Sequence, residues 1–225
     1  LTADISSSRK LGSHRTAERN DGLLSYHPVV AGNLLLYSNG RQIFAFDLRT
    51  GKPAWPGDPK KRPGEIYCDE ITRASFAHVP QGLGVPRFTL TVAGNKVYAR
   101  MGSQVTTRPV DWHEPYLGQS LVCLDLAAQG RLLRKIAPDD EKWAFEGAPL
   151  VAGTDIYVAM RKSDVRPQTH VACYDGETGR RRWRTMLSSA ETPAGGLIEL
   201  THDLLTLEQG VLYANTNLGA TAPRF

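Results

Sequence analysis

The residue types that could bind a ligand or take part in a reaction concentrate in two short stretches. The first is Asp111-Trp112-His113-Glu114, which places two carboxylates and an imidazole within four residues. Such a group could bind a metal ion or a ligand, and a hydrolase or lyase would use the same side chains as acid and base. The alternative is a surface loop in which Trp112 packs on the structure below it.

The second stretch is Met160–His170, which carries the charged residues Arg161, Lys162, Asp164 and Arg166. Together with the first stretch it could form a binding rim for anions or for a partner. The alternative is a set of ion pairs on a solvated loop, which contribute little stability. Both stretches interrupt the repeated unit described below at the same point, so we expect them on the same face of the fold.

The remaining candidate ligands lack the spacing of a metal site. None of the three cysteines forms a C-x-x-C pair, and none of the six histidines an H-x-x-x-H pair. Glu65, Asp69 and Glu70 could coordinate Ca²⁺, but their spacing matches no calcium loop, and a covering loop over residues 60–85 is the alternative. We therefore predict no metal and no cofactor from these residues, and spacing alone assigns no disulfide.

The composition excludes two further classes of protein. The chain has 225 residues, 41% of them hydrophobic, and a net charge of +4. Its basic runs, Lys60–Arg62 and Arg180–Arg182, are short, whereas nucleic-acid binding usually needs a clustered basic face. No apolar run reaches the 18 residues of a membrane-spanning helix. We predict no nucleic-acid partner and no transmembrane segment.

A hairpin phrase recurs along the chain. It reads VAGNLLLY from Val30, VAGNKVYA from Val92, VAGTDIYV from Val151 and LEQGVLYA from Leu207. Glycine and asparagine tolerate the positive φ that a two-residue hairpin turn requires, and a β-forming run follows each turn. The sequence therefore predicts four copies of one unit, each opening with a strand, a tight turn and a second strand.

A third strand follows the hairpin in three of the copies. The runs QIFAFD, SLVCLD and HVACYD begin at Gln42, Ser120 and His170, and they are apolar almost without alternation. A continuous apolar run indicates a strand with both faces covered. Parallel sheets need crossover helices for that, and we find no convincing helix. Small antiparallel sheets stacked face to face, as in a β-propeller, satisfy the pattern.

The third strand ends in a turn motif that appears twice in full. The first copy has Asp47, Thr50, Gly51, Lys52 and Trp55. Aspartate and threonine side chains bond back to nearby backbone N–H groups, and glycine supplies the left-handed corner. We expect the tryptophan on the fourth strand, as a wedge between neighbouring blades. A phosphate-binding loop is excluded, because it needs more glycines and a helix after them.

The other copies vary. The third repeats the motif with Asp175, Thr178, Gly179 and Trp183. The second is degenerate: Asp125 and Gly130 are one residue further apart, and Arg134 holds the tryptophan position. The fourth copy stops after its hairpin. We therefore expect a truncated last blade and a chain that is a piece of a longer precursor.

At these residues the sequence resembles the pyrroloquinoline-quinone-like β-propeller repeat family. Its docking motif, Ala-x-Asp-x-x-x-Gly-Lys-x-x-Trp, is matched by Ala45, Asp47, Gly51, Lys52 and Trp55. The resemblance implies a periplasmic or outer-membrane-associated protein. The family includes quinoprotein dehydrogenases, which hold the quinone and Ca²⁺ on the propeller axis. It also includes non-enzymatic propellers such as the lipoprotein of the outer-membrane protein assembly machinery.

We therefore predict an all-β fold, a partial β-propeller of about four four-stranded antiparallel blades with the last truncated. Residues 1–225 form one incomplete propeller, with units near 23–60, 86–138, 143–188 and 200–225. The expected function is a non-catalytic platform whose partners are proteins or the remaining blades. The alternative is a fragment of a quinone-dependent dehydrogenase, and only that alternative implies the quinone and Ca²⁺. The adjacent cysteine pair typical of such enzymes is missing.

Overall fold

A computed structural model describes residues 25–69, 87–103, 105–107, 118–190, 204–215 and 220–221. These residues form strands and no helix, which confirms the all-β prediction. The described residues contain no helix that is long and apolar enough to cross a membrane. In chain order the strands are β1 (Ser25–Tyr26), β2 (Val29–Ala31), β3 (Leu34–Ser38), β4 (Gln42–Asp47), β5 (Glu65–Cys68), β6 (Arg87–Phe88), β7 (Leu90–Ala93), β8 (Lys96–Gly102), β9 (Gln119–Asp125), β10 (Arg131–Ile136), β11 (Trp143–Ala152), β12 (Asp155–Lys162), β13 (Gln168–Asp175), β14 (Arg181–Ala190), β15 (Leu205–Glu208), β16 (Val211–Ala214) and β17 (Ala220–Thr221).

Three antiparallel sheets follow one another along the chain. The first blade has the order β2-β3-β4-β5, the second β7-β8-β9-β10 and the third β11-β12-β13-β14. A fourth unit consists of the hairpin β15-β16, and β1 pairs with β6 in a short parallel ladder. The partial β-propeller is thereby confirmed. The third blade differs from the four-stranded expectation, because β17 pairs with the outer edge of β14.

The hairpin turns take the backbone conformation that their residues predict. Gly32, Gly94 and Gly153 have φ angles of 58°, 56° and 59°. Each hairpin turn is hydrogen-bonded to the turn that follows the third strand, which lies at the same end of the sheet. In the first blade the N–H of Leu48 donates to the carbonyl of Asn33 at 2.8 Å. The second and third blades repeat this bond, so each blade is closed by the same hydrogen bond.

The apolar third strands have both faces covered, as predicted. In β9, Val122 and Leu124 belong to a core cluster shared by the first and second blades. Their neighbours Leu121 and Cys123 belong to a second cluster, shared by the second and third blades. Because side chains alternate between the two faces of a strand, a continuous apolar run lets one blade pack on two others.

The first blade corrects one prediction. We expected its fourth strand directly after the turn, within residues 23–60 and carrying Trp55. Instead, the chain pairs only briefly with β4, where Ala54 N–H donates to the Ala45 carbonyl at 3.1 Å. It then leaves the sheet and returns at Gly64, whose carbonyl accepts the Ala45 N–H at 2.8 Å, to form β5. Pro56, which has no N–H to donate to a ladder, explains the break. We call residues 55–63 the excursion.

Candidate functional site

The turn of the first blade uses its polar side chains to build the corner. Asp47 Oδ1 accepts the backbone N–H of Thr50 at 2.8 Å and its hydroxyl at 2.9 Å. Gly51 has φ 65°, and its N–H donates to the Asp47 carbonyl at 2.9 Å. The Thr50 N–H holds the pKa of Asp47 below its usual value. These contacts give both residues a role in the turn itself.

The third blade repeats this arrangement. Asp175 Oδ1 accepts the N–H groups of Thr178 at 2.7 Å and Glu177 at 2.9 Å. Arg182 adds an ion pair to the other carboxylate oxygen at 2.6 Å. The Thr178 N–H is the largest cause, and Arg182 the next, of the strongly lowered pKa of Asp175. Gly179 takes the corner with φ 73°.

The second blade accommodates its extra residue with a second left-handed residue. Asp125 Oδ1 accepts the Ala127 N–H at 2.9 Å. Gln129 and Gly130 have φ angles of 56° and 83°, and the Gly130 N–H still donates to the Asp125 carbonyl at 2.8 Å. The slipped spacing seen in the sequence therefore produces a wider corner of the same kind, with a glutamine side chain on it.

The residues at the tryptophan position have different surroundings in the three blades. Trp55 is half-buried against the first core cluster. In the second blade, the Arg134 Nε–H donates to the Gly176 carbonyl in the third-blade turn at 3.1 Å. Trp183 lies on β14 with 41% of its surface exposed, and its ring centre is 6.0 Å from that of Tyr157 on the same sheet. The docking role of the tryptophans remains a prediction.

The cluster Asp111-Trp112-His113-Glu114 lies outside the described residues. The base of its insertion is described, and it is narrow. Gly102, with φ 99°, closely faces the backbone of Gly118, since a Cβ on Gly102 would lie 2.2 Å from the Gly118 carbonyl oxygen. Only glycine fits there. The two ends of the insertion are thus held together where it leaves the second blade.

Gln119 ties the base of this insertion to the third blade. Its amide nitrogen donates to the carbonyls of Ser103 at 2.9 Å and Val105 at 2.8 Å. Its amide oxygen accepts the Phe145 N–H at 2.7 Å. The side chain is buried, so these bonds compensate the loss of hydration. Sequence reasoning missed Gln119, since nothing local marks a glutamine at a strand start as a link between blades.

Arg161 is buried within a strand, whereas both interpretations of Met160–His170, a binding rim and a solvated loop, placed it at the surface. It lies in β12 and is fully buried, where its Nε is 3.2 Å from Glu146 Oε1. Its Nη1 donates to the Thr169 hydroxyl at 2.9 Å. The strand alternation explains the burial, because Arg161 shares the face of Tyr157 and Ala159. The loop is therefore shorter than residues 160–170 and covers only 163–167.

The other three predicted rim residues do lie near the surface. Lys162 Nζ is 3.0 Å from Asp164 Oδ2, and this contact is the main reason that the pKa of Asp164 lies below its usual value. Arg166 is exposed, and so is Val165 beside it, at 59%. The structure thus brings Lys162 and Asp164 together and separates both from Arg161.

The sequence analysis did not predict a cluster of aromatic and cationic side chains next to this loop. The Arg184 guanidinium lies 3.6 Å from the ring centre of the buried Trp143. The ring of His170 meets Trp143 edge-on at 4.8 Å, and its Nε2 is 3.0 Å from Gln168 Oε1. Burial, helped by the positive charges of Arg184 and Lys162, lowers the pKa of His170 to about 4. His170 is therefore neutral at pH 7.

Of the three acidic residues considered for Ca²⁺, the two that the structure describes are engaged by other side chains of the protein. Asp69 is buried and pairs with Lys135 Nζ at 2.9 Å, while Ser120 donates to it at 3.2 Å. Glu65 accepts a hydrogen bond from Gln42, and Glu70 lies outside the described residues. Within those residues no group of three or more potential ligands could hold a metal ion. Cys68, Cys123 and Cys173 are free thiols.

Comparison with known proteins gives a likeness of fold. No protein-family model matches the chain, and no curated protein does either. Among solved structures, a quinohemoprotein alcohol dehydrogenase from Pseudomonas putida is similar at 20% identity and a TM-score of 0.47, over 74% of this chain and 22% of that one. The quinohemoprotein alcohol dehydrogenase from Comamonas testosteroni gives 20% identity and 0.47, over 73% and 21%. The chain thus spans about a fifth of either structure.

Proposed function

We propose that this chain is a non-catalytic β-propeller module that serves as a binding or assembly platform in the cell envelope. Its partners would be proteins or further blades of the same propeller. The periplasmic or outer-membrane location follows from the family resemblance of the docking motif around Asp47 and Trp55. The observation that carries the proposal is that two loops leave neighbouring blades at the same end. Each loop starts and ends at two residues that are paired across adjacent strands.

The two loops start at matching positions in their sheets. In the second blade the insertion leaves between Gly102 and Gln119, which are paired in register. In the third blade the loop leaves between Lys162 and Gln168, also a registered pair. Gln119 links the first base to the third blade, as described above. Loops placed on a rigid scaffold are where repeat proteins usually bind, and Val165 and Arg166 present both apolar and charged surface there.

The titratable groups of the described residues support a structural role over catalysis. Asp47 and Asp175 build turns, Asp69 joins the first blade to the second through Lys135, and Glu146 pairs with Arg161. The alternative, a quinone-dependent dehydrogenase, would need a Ca²⁺ site beside the quinone. The described residues do not fit that need, since none of their acidic groups form a cage.

A photo-crosslinking experiment tests the platform. A photoreactive amino acid replaces Val165 on the rim in the full-length protein in its native cell envelope. We expect one discrete crosslinked partner band from this position. The matched control is the same replacement at Glu177, an exposed residue in the turn at the opposite end of the blade, which should give none.

Two results would contradict the proposal. The first is equal labelling from both positions, which would show that the rim has no preference for a partner. The second is saturable binding of pyrroloquinoline quinone with Ca²⁺ by calorimetry, together with dye-linked oxidation of an alcohol or sugar. That pair of results would establish the dehydrogenase alternative in its place.

A further inference from the structure

A cavity of about 140 Å³ lies at the outer edge of the propeller, between the first and second blades. Trp55 forms one wall, and one side of that tryptophan packs on the first core cluster. The polar side chains around the cavity are Asp58, Lys61, Glu65 and Gln129. It is separate from the loop-bearing rim, so the inference drawn from it goes beyond the proposed function and does not depend on it.

The cavity is built by two departures from the repeat. The excursion splits the outer strand of the first blade, whereas β10 and β14 run unbroken in the second and third blades. The extra residue in the second-blade turn places Gln129 on a left-handed corner, with φ 56°. Both irregularities face the same space. Two departures from the repeat therefore meet at one cavity, and binding residues lie disproportionately on such loops.

The lining matches a neutral ligand with hydroxyl groups. Two carboxylates, one ammonium group and one amide supply both donors and acceptors, and a hydroxyl can act as either. Among the described residues, neither Lys61 Nζ nor the Gln129 amide has a hydrogen bond or ion pair, so both are available to a ligand. Trp55 is the aromatic side chain that lines the cavity, and a ring with C–H groups can pack on an aromatic side chain.

The volume sets the size of the ligand. A protein cavity of about 150 Å³ holds one benzene ring. The cavity therefore encloses one six-membered ring, whose hydroxyl groups would reach the polar side chains around it. We propose that this cavity binds a single neutral pyranose sugar, packed on Trp55 and hydrogen-bonded by Lys61 and Gln129, with Asp58 and Glu65 as acceptors.

Saturation-transfer NMR on the full chain with D-glucose tests the site. We expect saturable transfer with a Kd in roughly the millimolar range. The variants Lys61→Ala and Gln129→Gly should each weaken binding about three- to tenfold, as expected for the loss of one hydrogen bond. Glycine suits the left-handed φ of Gln129, so the second variant should fold normally.

Lys60→Ala is the matched control, because Lys60 is an exposed neighbour that does not line the cavity. It should leave the Kd unchanged. Three results would overturn the proposal: no transfer to glucose, mannose or galactose; equal transfer in the double variant Lys61→Ala/Gln129→Gly; or displacement of glucose by inorganic phosphate. The last would show an anion site in place of a neutral one.

Discussion

Arg161 and Glu146 form an ion pair inside the third blade, with Nε and Oε1 3.2 Å apart and both side chains at most 1% exposed. The two residues lie on neighbouring strands, β12 and β11, on the face opposite the second core cluster. The strand β15 of the fourth hairpin packs on these same two strands. A charge pair is therefore enclosed where the third blade meets the fourth unit.

Breaking this pair should destabilise the protein strongly. Arg161→Ala removes the cation that lies 3.2 Å from the buried Glu146 carboxylate, and we expect the free energy of unfolding to fall by about 3–5 kcal/mol. Urea denaturation followed by circular dichroism measures the change. The double variant Arg161→Met/Glu146→Leu removes both charges and should recover much of the loss, because two apolar groups leave no uncompensated charge.

Lys162→Ala is the control for this experiment, since it removes the adjacent positive charge from a partly exposed ion pair. We expect it to cost less than about 1 kcal/mol. A loss in Arg161→Ala no larger than that in Lys162→Ala would show that the buried pair contributes nothing particular to stability.

The narrow base of the second-blade insertion predicts a steric cost at Gly102. Gly102→Ala would place a Cβ 2.2 Å from the Gly118 carbonyl oxygen, so the backbone must move. Gly94→Ala is the matched variant: its φ is also positive, at 56°, but nothing lies within 4 Å. We expect about 1 kcal/mol for Gly94→Ala from the left-handed conformation alone, and about 2 kcal/mol more for Gly102→Ala from the clash. Equal losses in thermal or urea unfolding would disprove the steric argument.

The low pKa of His170 predicts an acid-sensitive stability. The folded protein holds the imidazole neutral down to about pH 4, from an ordinary value of 6.5, whereas the unfolded chain binds its proton already near pH 6.5. The stability contribution is therefore complete above pH 6.5 and is lost as the pH falls towards 4. We expect a loss of about 2 kcal/mol across this window, less than the full shift implies because of solvent screening.

The variant His170→Gln isolates this contribution. It cannot titrate, so its unfolding free energy should change less between pH 6.5 and 4 than that of the native protein. Asp47, Asp139 and Asp164 also have lowered pKa values, but their contributions are lost below about pH 4 and are present in both proteins. Identical pH profiles for the two proteins would mean that His170 is not held neutral by the fold.

The sequence predicts the blades well because their signals are local. Gly32-Asn33 marks a hairpin turn by backbone conformation alone, and Leu121 to Leu124 indicate two covered faces by an apolar run without alternation. The corner at Asp47 is predictable for the same reason, since the N–H groups of Thr50 and Gly51 that donate to Asp47 lie only three and four positions after it.

The rest depends on contacts between distant residues. Arg161 was assigned to a loop because Met160–His170 interrupts the repeated unit, and its partner Glu146 lies 15 positions away. The stacking of Arg184 on Trp143 likewise joins residues that are far apart in the sequence. The excursion had a local signal in Pro53 and Pro56, which remove N–H donors from an outer strand. The cavity that the excursion forms with Gln129 could not be predicted, because Gln129 belongs to the next blade and reaches the cavity only when the two sheets are stacked.

The two motif tryptophans allow a direct test of the docking prediction. Trp55→Ala removes a side chain packed on the first core cluster, and we expect a loss of about 2 kcal/mol, since the ring is only half-buried. Trp183 is 41% exposed and its ring is near that of Tyr157 on its own sheet, so Trp183→Ala should cost about 1 kcal/mol or less. Calorimetric melting of both variants measures the difference. Equal and large losses of stability in the two variants would contradict this ranking. They would support the role of Trp183 as a wedge against a neighbouring sheet, which the motif predicts.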